Sequence, residues 1–210
     1  MSRGHDRRPR RPAMLDPRAG EQVPGDLDPT LRAEVAHSTA RALVDRGRAS
    51  EDPEVHERLV GLVESEGLDT IAELWADSSP GTLPGALWRL YLLRAVVRGD
   101  AVAVAERYRM GIARAEVHDV VAGVASPPGP EEVRAVADAV LSGVYTGDLA
   151  VALERAAAFC RVLATGSAVD ADLVTDDELA GRLTRSASGL VRTAEELESA
   201  AGLWRAGTLD

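Results

Sequence analysis

A chain of 210 residues, 45% apolar and 28% charged, is long enough to bury a core and too mixed in composition to be wholly disordered or membrane-embedded. The formal net charge is −10, and all 24 basic residues are arginine; lysine and asparagine are absent, with one glutamine (Gln22) and one phenylalanine (Phe159). The missing residue types have AT-rich codons, so the 3% aromatic content reflects coding composition rather than disorder. With no lysine, a lysine Schiff base, a phosphate-loop lysine and a Ser-Lys dyad are excluded.

Residues 1 to 27 combine arginines, prolines and glycines without apolar periodicity, which reads as a disordered basic arm. Arg3, Arg7, Arg8, Arg10 and Arg11 stand against a single acid, Asp6, within the first 13 residues, a net charge of +4; the remaining residues carry 19 arginines against 33 acids, or −14. The twin arginines lack the apolar stretch of an export signal behind them, and Met14 offers an alternative start.

From Asp28 onward, residues 28 to 210 read as a single all-α domain, a multi-helix bundle or helical-hairpin array. Asp28-Pro29 and Asp52-Pro53 each place a capping carboxylate before a first-turn proline. The first helix is expected to bury Leu31, Val35, Thr39 and Leu43, and the second Val55, Leu59, Leu62 and Val63 up to Gly67. A short helix through Ile71 and Trp75 follows. The segment from Pro84 to Arg98 is apolar nearly all round, which predicts the central buried helix. Gly99 ends it and Asp100 caps a helix with Ala101, Val104, Ala105 and Tyr108 on one face. Val117, Val120, Val121 and Val124 define another helix up to the break at Pro127 to Pro130. Val133, Val136, Ala137, Val140 and Val144 define the next, which Gly147 closes. Gly99-Asp100 with Glu106-Arg107 recurs as Gly147-Asp148 with Glu154-Arg155, as two αα-hairpins would require.

The last helix, expected over 175 to 206, opens on a capping box of Thr175 and Glu178. Ala180, Ala187, Ala194 and Ala201 alternate with Leu183, Leu190, Leu197 and Trp204 in a heptad seam. Alanine at one seam position suits a closely packed antiparallel partner, either in the body of this chain or in a second copy.

Catalytic signatures are lacking. No Gly-x-Ser-x-Gly elbow or phosphate-cradling glycine loop occurs, and Ser78 and Ser79 have no histidine near them in sequence. The lone Cys160 reads as a small core residue in a reducing compartment. Glu34 and His37 form one Glu-x-x-His spacing without the second copy that a di-iron bundle needs. His37, His56, His118 and Cys160 have no zinc spacing, so neither metal nor cofactor is expected. One stretch departs from the acidic background. Arg89, Arg94, Arg98, Arg107, Arg109 and Arg114, with Tyr91 and Tyr108 between them, face only two acids, a candidate patch for an anion or an acidic partner unless these arginines pair with the protein's own carboxylates.

The run Leu83-Pro84-Gly85-Ala86-Leu87-Trp88-Arg89-Leu90-Tyr91, with Thr146-Gly147-Asp148 and the alanine-rich helix after it, resembles an uncharacterised helical family of GC-rich actinobacteria over roughly residues 70 to 205. The resemblance implies a cytoplasmic location and no assigned activity. Together these readings predict a non-enzymatic helical interaction module, an adaptor or regulator without a membrane segment, acting on a protein partner or on a second copy of itself as a homodimer. The alternative is a nucleic-acid-associated regulator that uses the arginine arm, whose phosphate contacts would weaken with salt.

Overall fold

A computed structural model describes residues 28 to 123 and 129 to 210. All regular secondary structure among them is helical: α1 (Pro29–Ala49), α2 (Pro53–Val60), α3 (Leu62–Glu66), α4 (Leu68–Trp75), α5 (Leu83–Gly99), α6 (Ala101–Ile112), α7 (Glu116–Ala122), α8 (Pro130–Thr146), α9 (Leu149–Leu173) and α10 (Asp177–Arg205). The chain is a helical bundle. None of these helices is long and apolar enough to cross a membrane.

The capping chemistry accounts for most boundaries. The carboxylates of Asp28, Asp52, Asp100 and Asp148 accept hydrogen bonds from the first-turn amides of α1, α2, α6 and α9, satisfying donors that a helix start leaves unpaired. The last helix departs from expectation by one position. Asp176, not Thr175, is its cap, accepting from the Leu179 amide at 2.7 Å, because a carboxylate at this position also gains from the positive end of the helix dipole. The second helix is interrupted at Gly61, so α2 and α3 are separate turns of chain.

The central helix is α9, not α5. Leu149, Leu153, Phe159, Cys160, Val162 and Leu163 on α9 are all buried, with seven alanines among them, and α9 packs against α5, α6, α7, α8 and α10. Alanine is what makes this possible, since a helix packed against five neighbours needs short side chains where their backbones come close. The closest approach is a crossing of α6 and α9, where a Cβ on Gly166 would collide with the Arg107 carbonyl and one on Gly111 with the Val162 carbonyl.

α5 keeps one face uncovered. Leu87, Leu90, Tyr91, Leu93 and Val97 are buried, but Leu92 is 37% and Val96 50% exposed. Two further faces differ from their apolar pattern. On α1 the buried positions are Ala36, Ala40, Val44 and Gly47, one residue on from the expected set, and Leu31 is exposed. The Tyr145 ring lies against Gly47, so the helix turns its small residues inward to admit it. On α7, Val120 is 81% exposed and Val121 is also exposed, while Ala122 is buried, which lets α7 lie close to α9; the Val117 side chain lies outside what is described. Val124 lies outside the described residues. By contrast, the predicted faces of α6 and α8 are buried as expected.

Candidate functional site

The arginine patch separates into several places once the chain folds. Tyr91 and Tyr108 are buried in the core, Tyr108 stacked on Phe159 at a centroid distance of 5.0 Å, so no tyrosine is interleaved with the arginines at the surface. Arg89 pairs with Glu196 of α10 at 2.6 Å, and Arg107 with Asp170 of α9 at 3.0 Å. Arg94 and Arg98, one turn apart on α5, share Asp138 of α8 at 2.6 and 2.7 Å. Arg109 and Arg114 are exposed, with no ion pair among the described residues. Four of the six thus bind α5 and α6 to α8, α9 and α10.

Arg94 is the most telling of these, because the residue is only 4% exposed. A guanidinium withdrawn from water requires a charged partner with good geometry, and Asp138 supplies it. The pair also lines a shallow groove of about 570 Å³ between α2, α5 and α8, into which His56, Glu57 and Ser142 project. His56 is committed locally: its Nε2 lies 2.9 Å from the Gly47 carbonyl and ties α2 to the end of α1. Opposite charges are balanced within this groove, so it has no surplus for an anion.

The heptad seam of α10 lies against α9. Leu183, Ala187, Ala194, Leu197 and Ala201 are buried, and Ala180, Leu190 and Trp204 are half-buried. The helices run antiparallel. Arg161 meets Glu198 through two hydrogen bonds of 2.8 and 2.6 Å, and Arg205 meets Glu154 in the same fashion one heptad along in opposite directions on the two helices. These guanidiniums hold the Glu198 and Glu154 carboxyls below the usual carboxylate range, the direct hydrogen bond being the larger cause in each. At the far end the Trp204 ring sits under Arg48 of α1, 5.0 Å from the guanidinium carbon to the centroid. The seam is therefore used within one chain.

Cys160 is buried in α9, and burial pushes its thiol up to about 12, so it is a protonated core residue at neutral pH. Among the described residues no three His, Cys, Asp or Glu side chains converge at metal-binding range. Arg3, Arg7, Arg8, Arg10 and Arg11 lie outside the described residues.

Sequence reasoning missed a recess where α1 meets the loop between α4 and α5. His37 on α1 lines it together with Asp77, Ser78 and Ser79, some forty residues away in the chain. The apolar period of α1 held no hint of this, since the period locates a buried face and not what lies across it. Comparison of the chain with protein-family models, with curated proteins and with solved structures gives no match.

Proposed function

We propose that this chain is a non-enzymatic, cytoplasmic helical interaction module, an adaptor or regulator that engages a protein partner through the uncovered face of α5. The observation that carries the reading is the exposure of Leu92 and Val96, i and i+4 on a helix whose opposite face is buried, with the half-buried Trp88 one turn before them. Burying apolar surface contributes about 25 cal/mol per Å², so the part of Leu92 and Val96 that still meets water is available to stabilise a complex. An aromatic at the end of such a stripe is a common anchor of protein interfaces. The use of the α10 seam inside the chain supports a partner on α5 over a dimer built on that seam.

The test uses a photo-crosslinking residue placed at Val96, with the same residue at the exposed Arg192 of α10 as control, expressed in a GC-rich actinobacterial host. Crosslinks to a defined protein at Val96 and not at Arg192, abolished by Leu92→Glu, are the expected result. Equal crosslinking at both positions, or none at Val96, rejects the α5 face as the binding surface.

A further inference from the structure

We infer that the end of the bundle where α6 begins and α9 ends is a docking surface for a segment of this same chain, residues 7 to 18, which lie outside the described residues. This inference is independent of the α5 interaction face. The Arg107–Asp170 pair, with the close approaches of Gly166 to the Arg107 carbonyl and of Gly111 to the Val162 carbonyl, sets α6 and α9 antiparallel, in a register that places Leu173 opposite the first turn of α6. That turn carries Val102. Leu173 is 70% and Val102 57% exposed, and Val174 beside them is half-buried, so two adjoining helix ends present large apolar side chains to water.

The charge around this apolar surface is of one sign. Between residues 162 and 181 the chain holds five acids, Asp170, Asp172, Asp176, Asp177 and Glu178, and no arginine. Asp170 is taken up by Arg107 and Glu178 by Arg182. Asp172, Asp176 and Asp177, together with Asp100 before α6, are exposed and have no ion pair among the described residues; Asp100 and Asp176 also cap their helices. Asp170 and Asp172 stand in the last turn of α9, the negative end of its dipole, where no basic residue accompanies them. A cationic segment laid over this turn offsets that local repulsion, and an apolar residue within the segment covers Leu173 and Val102.

Residues 7 to 18 have both parts. Arg7, Arg8, Arg10, Arg11 and Arg18 stand against Asp16 alone, a net charge of +4, on either side of Ala13-Met14-Leu15. The segment also reaches. Pro29 at the start of α1 lines one recess with Thr82 at the start of α5, and the 17 residues of α5 cover about 26 Å from there to the beginning of α6. The 13 residues from Leu15 to Asp28 span up to about 43 Å when extended. Tethering in the same chain gives the segment a high effective concentration at this surface, which favours it over the same segment of a second copy.

The experiment attaches a nitroxide to the full chain at Ala13→Cys, next to Met14, while Cys160, buried in α9, stays unlabelled. Amide intensities of the ¹⁵N-labelled protein are compared with the nitroxide intact and reduced. The expected result is a loss of most of the intensity at Val102, Ala103, Asp172, Leu173 and Val174, recovered in Leu173→Glu and in the double variant Asp172→Asn/Asp177→Asn, and unchanged in Arg192→Ala. All of these substitutions fall on exposed side chains, so the core is left intact. In a mixture of nitroxide-bearing unlabelled chains with ¹⁵N-labelled chains lacking the new cysteine, no loss is expected. Loss spread evenly over the surface or centred on another element, loss undiminished in either variant, or loss in the mixed sample, which would put the segment on a second copy, overturns the assignment.

Discussion

The hydroxyls of Tyr91 and Tyr145 lie 2.6 Å apart in the core between α5 and α8, and the Tyr91 hydroxyl also donates to the Leu59 carbonyl at 2.6 Å. Because the single Tyr91 proton is committed to the carbonyl, Tyr145 is the donor to Tyr91, and the two rings and α2 form one directed chain of hydrogen bonds. Tyr145→Phe removes the terminal donor only and should cost about 1 kcal/mol. Tyr91→Phe also strands the buried Tyr145 hydroxyl, raising the expected cost to about 2–3 kcal/mol. Urea unfolding of the two variants gives the order; a Tyr145 variant less stable than the Tyr91 variant would show the chain to run the other way.

Alkaline pH should unfold the protein early. Burial pushes Tyr145 well above its ordinary value, with the Tyr91 hydroxyl adding to the rise, and burial lifts Cys160 from 9.0 to about 12. Both groups are neutral in the folded chain while their unfolded counterparts ionise, so the unfolded state binds fewer protons. Stability is complete below about pH 9 and falls as pH rises, by about 1.4 kcal/mol per pH unit for each group within its own window, 9 to 12 for Cys160 and from 10 upward for Tyr145. Melting temperatures from pH 7 to 11 check this, and Cys160→Ala should make the decline shallower between pH 9 and 10. A parallel decline in parent and variant would show that the thiol is not the titrating group.

On α10, Leu197 and Ala194 are fully buried against α9, Leu190 is half-buried and Arg192 is exposed. Leu197→Ala should cost about 2–5 kcal/mol and Leu190→Ala less, since part of that side chain already meets water. Ala194→Leu should cost about 1–3 kcal/mol by overpacking, and Arg192→Ala should stay within about 0.5 kcal/mol of the parent. Because the seam closes within the chain, the melting temperatures should not move with protein concentration. Midpoints that rise with concentration would place the seam between two copies.

Gly166 and Gly202 make opposite predictions for the same substitution. Gly166→Ala drives a methyl into the Arg107 carbonyl where α6 crosses α9, and backbone there has no room to yield, so a loss of about 1–3 kcal/mol or more is expected. Around Gly202, on the outside of α10, nothing lies within 4 Å of an added methyl. Gly202→Ala should therefore stabilise the helix by about 0.5–1 kcal/mol, the propensity difference between the two residues. Calorimetry of both variants decides the matter, and equal destabilisation would mean that the α6–α9 crossing is not the tight contact described.

What the sequence by itself determined was local in origin. The aspartate caps at 28, 52, 100 and 148, the glycine stops at 99 and 147 and the helical period of α6 and α8 are set by a few neighbouring residues, and each is legible wherever that chemistry occurs, whereas Gly47, also expected to stop its helix, lies inside α1, which runs on to Ala49. The alanine seam of α10 was equally plain, because close packing demands small residues at every second seam position whatever the partner. The identity of that partner was decided only by the tertiary structure, as were the central position of α9, the uncovered side of α5 and the inward turn of Ala36 and Ala40 on α1. An apolar residue registers that it gains from burial, not which neighbours are available to bury it. The same reason applies to charge: six arginines close in sequence look like a patch, but a guanidinium pairs with whatever carboxylate the fold brings within reach, and for Arg94 and Arg98 that was Asp138, some forty residues further along the chain. His37 met Ser78 and Ser79 in this way too, through a distance in space that no spacing in the chain encodes.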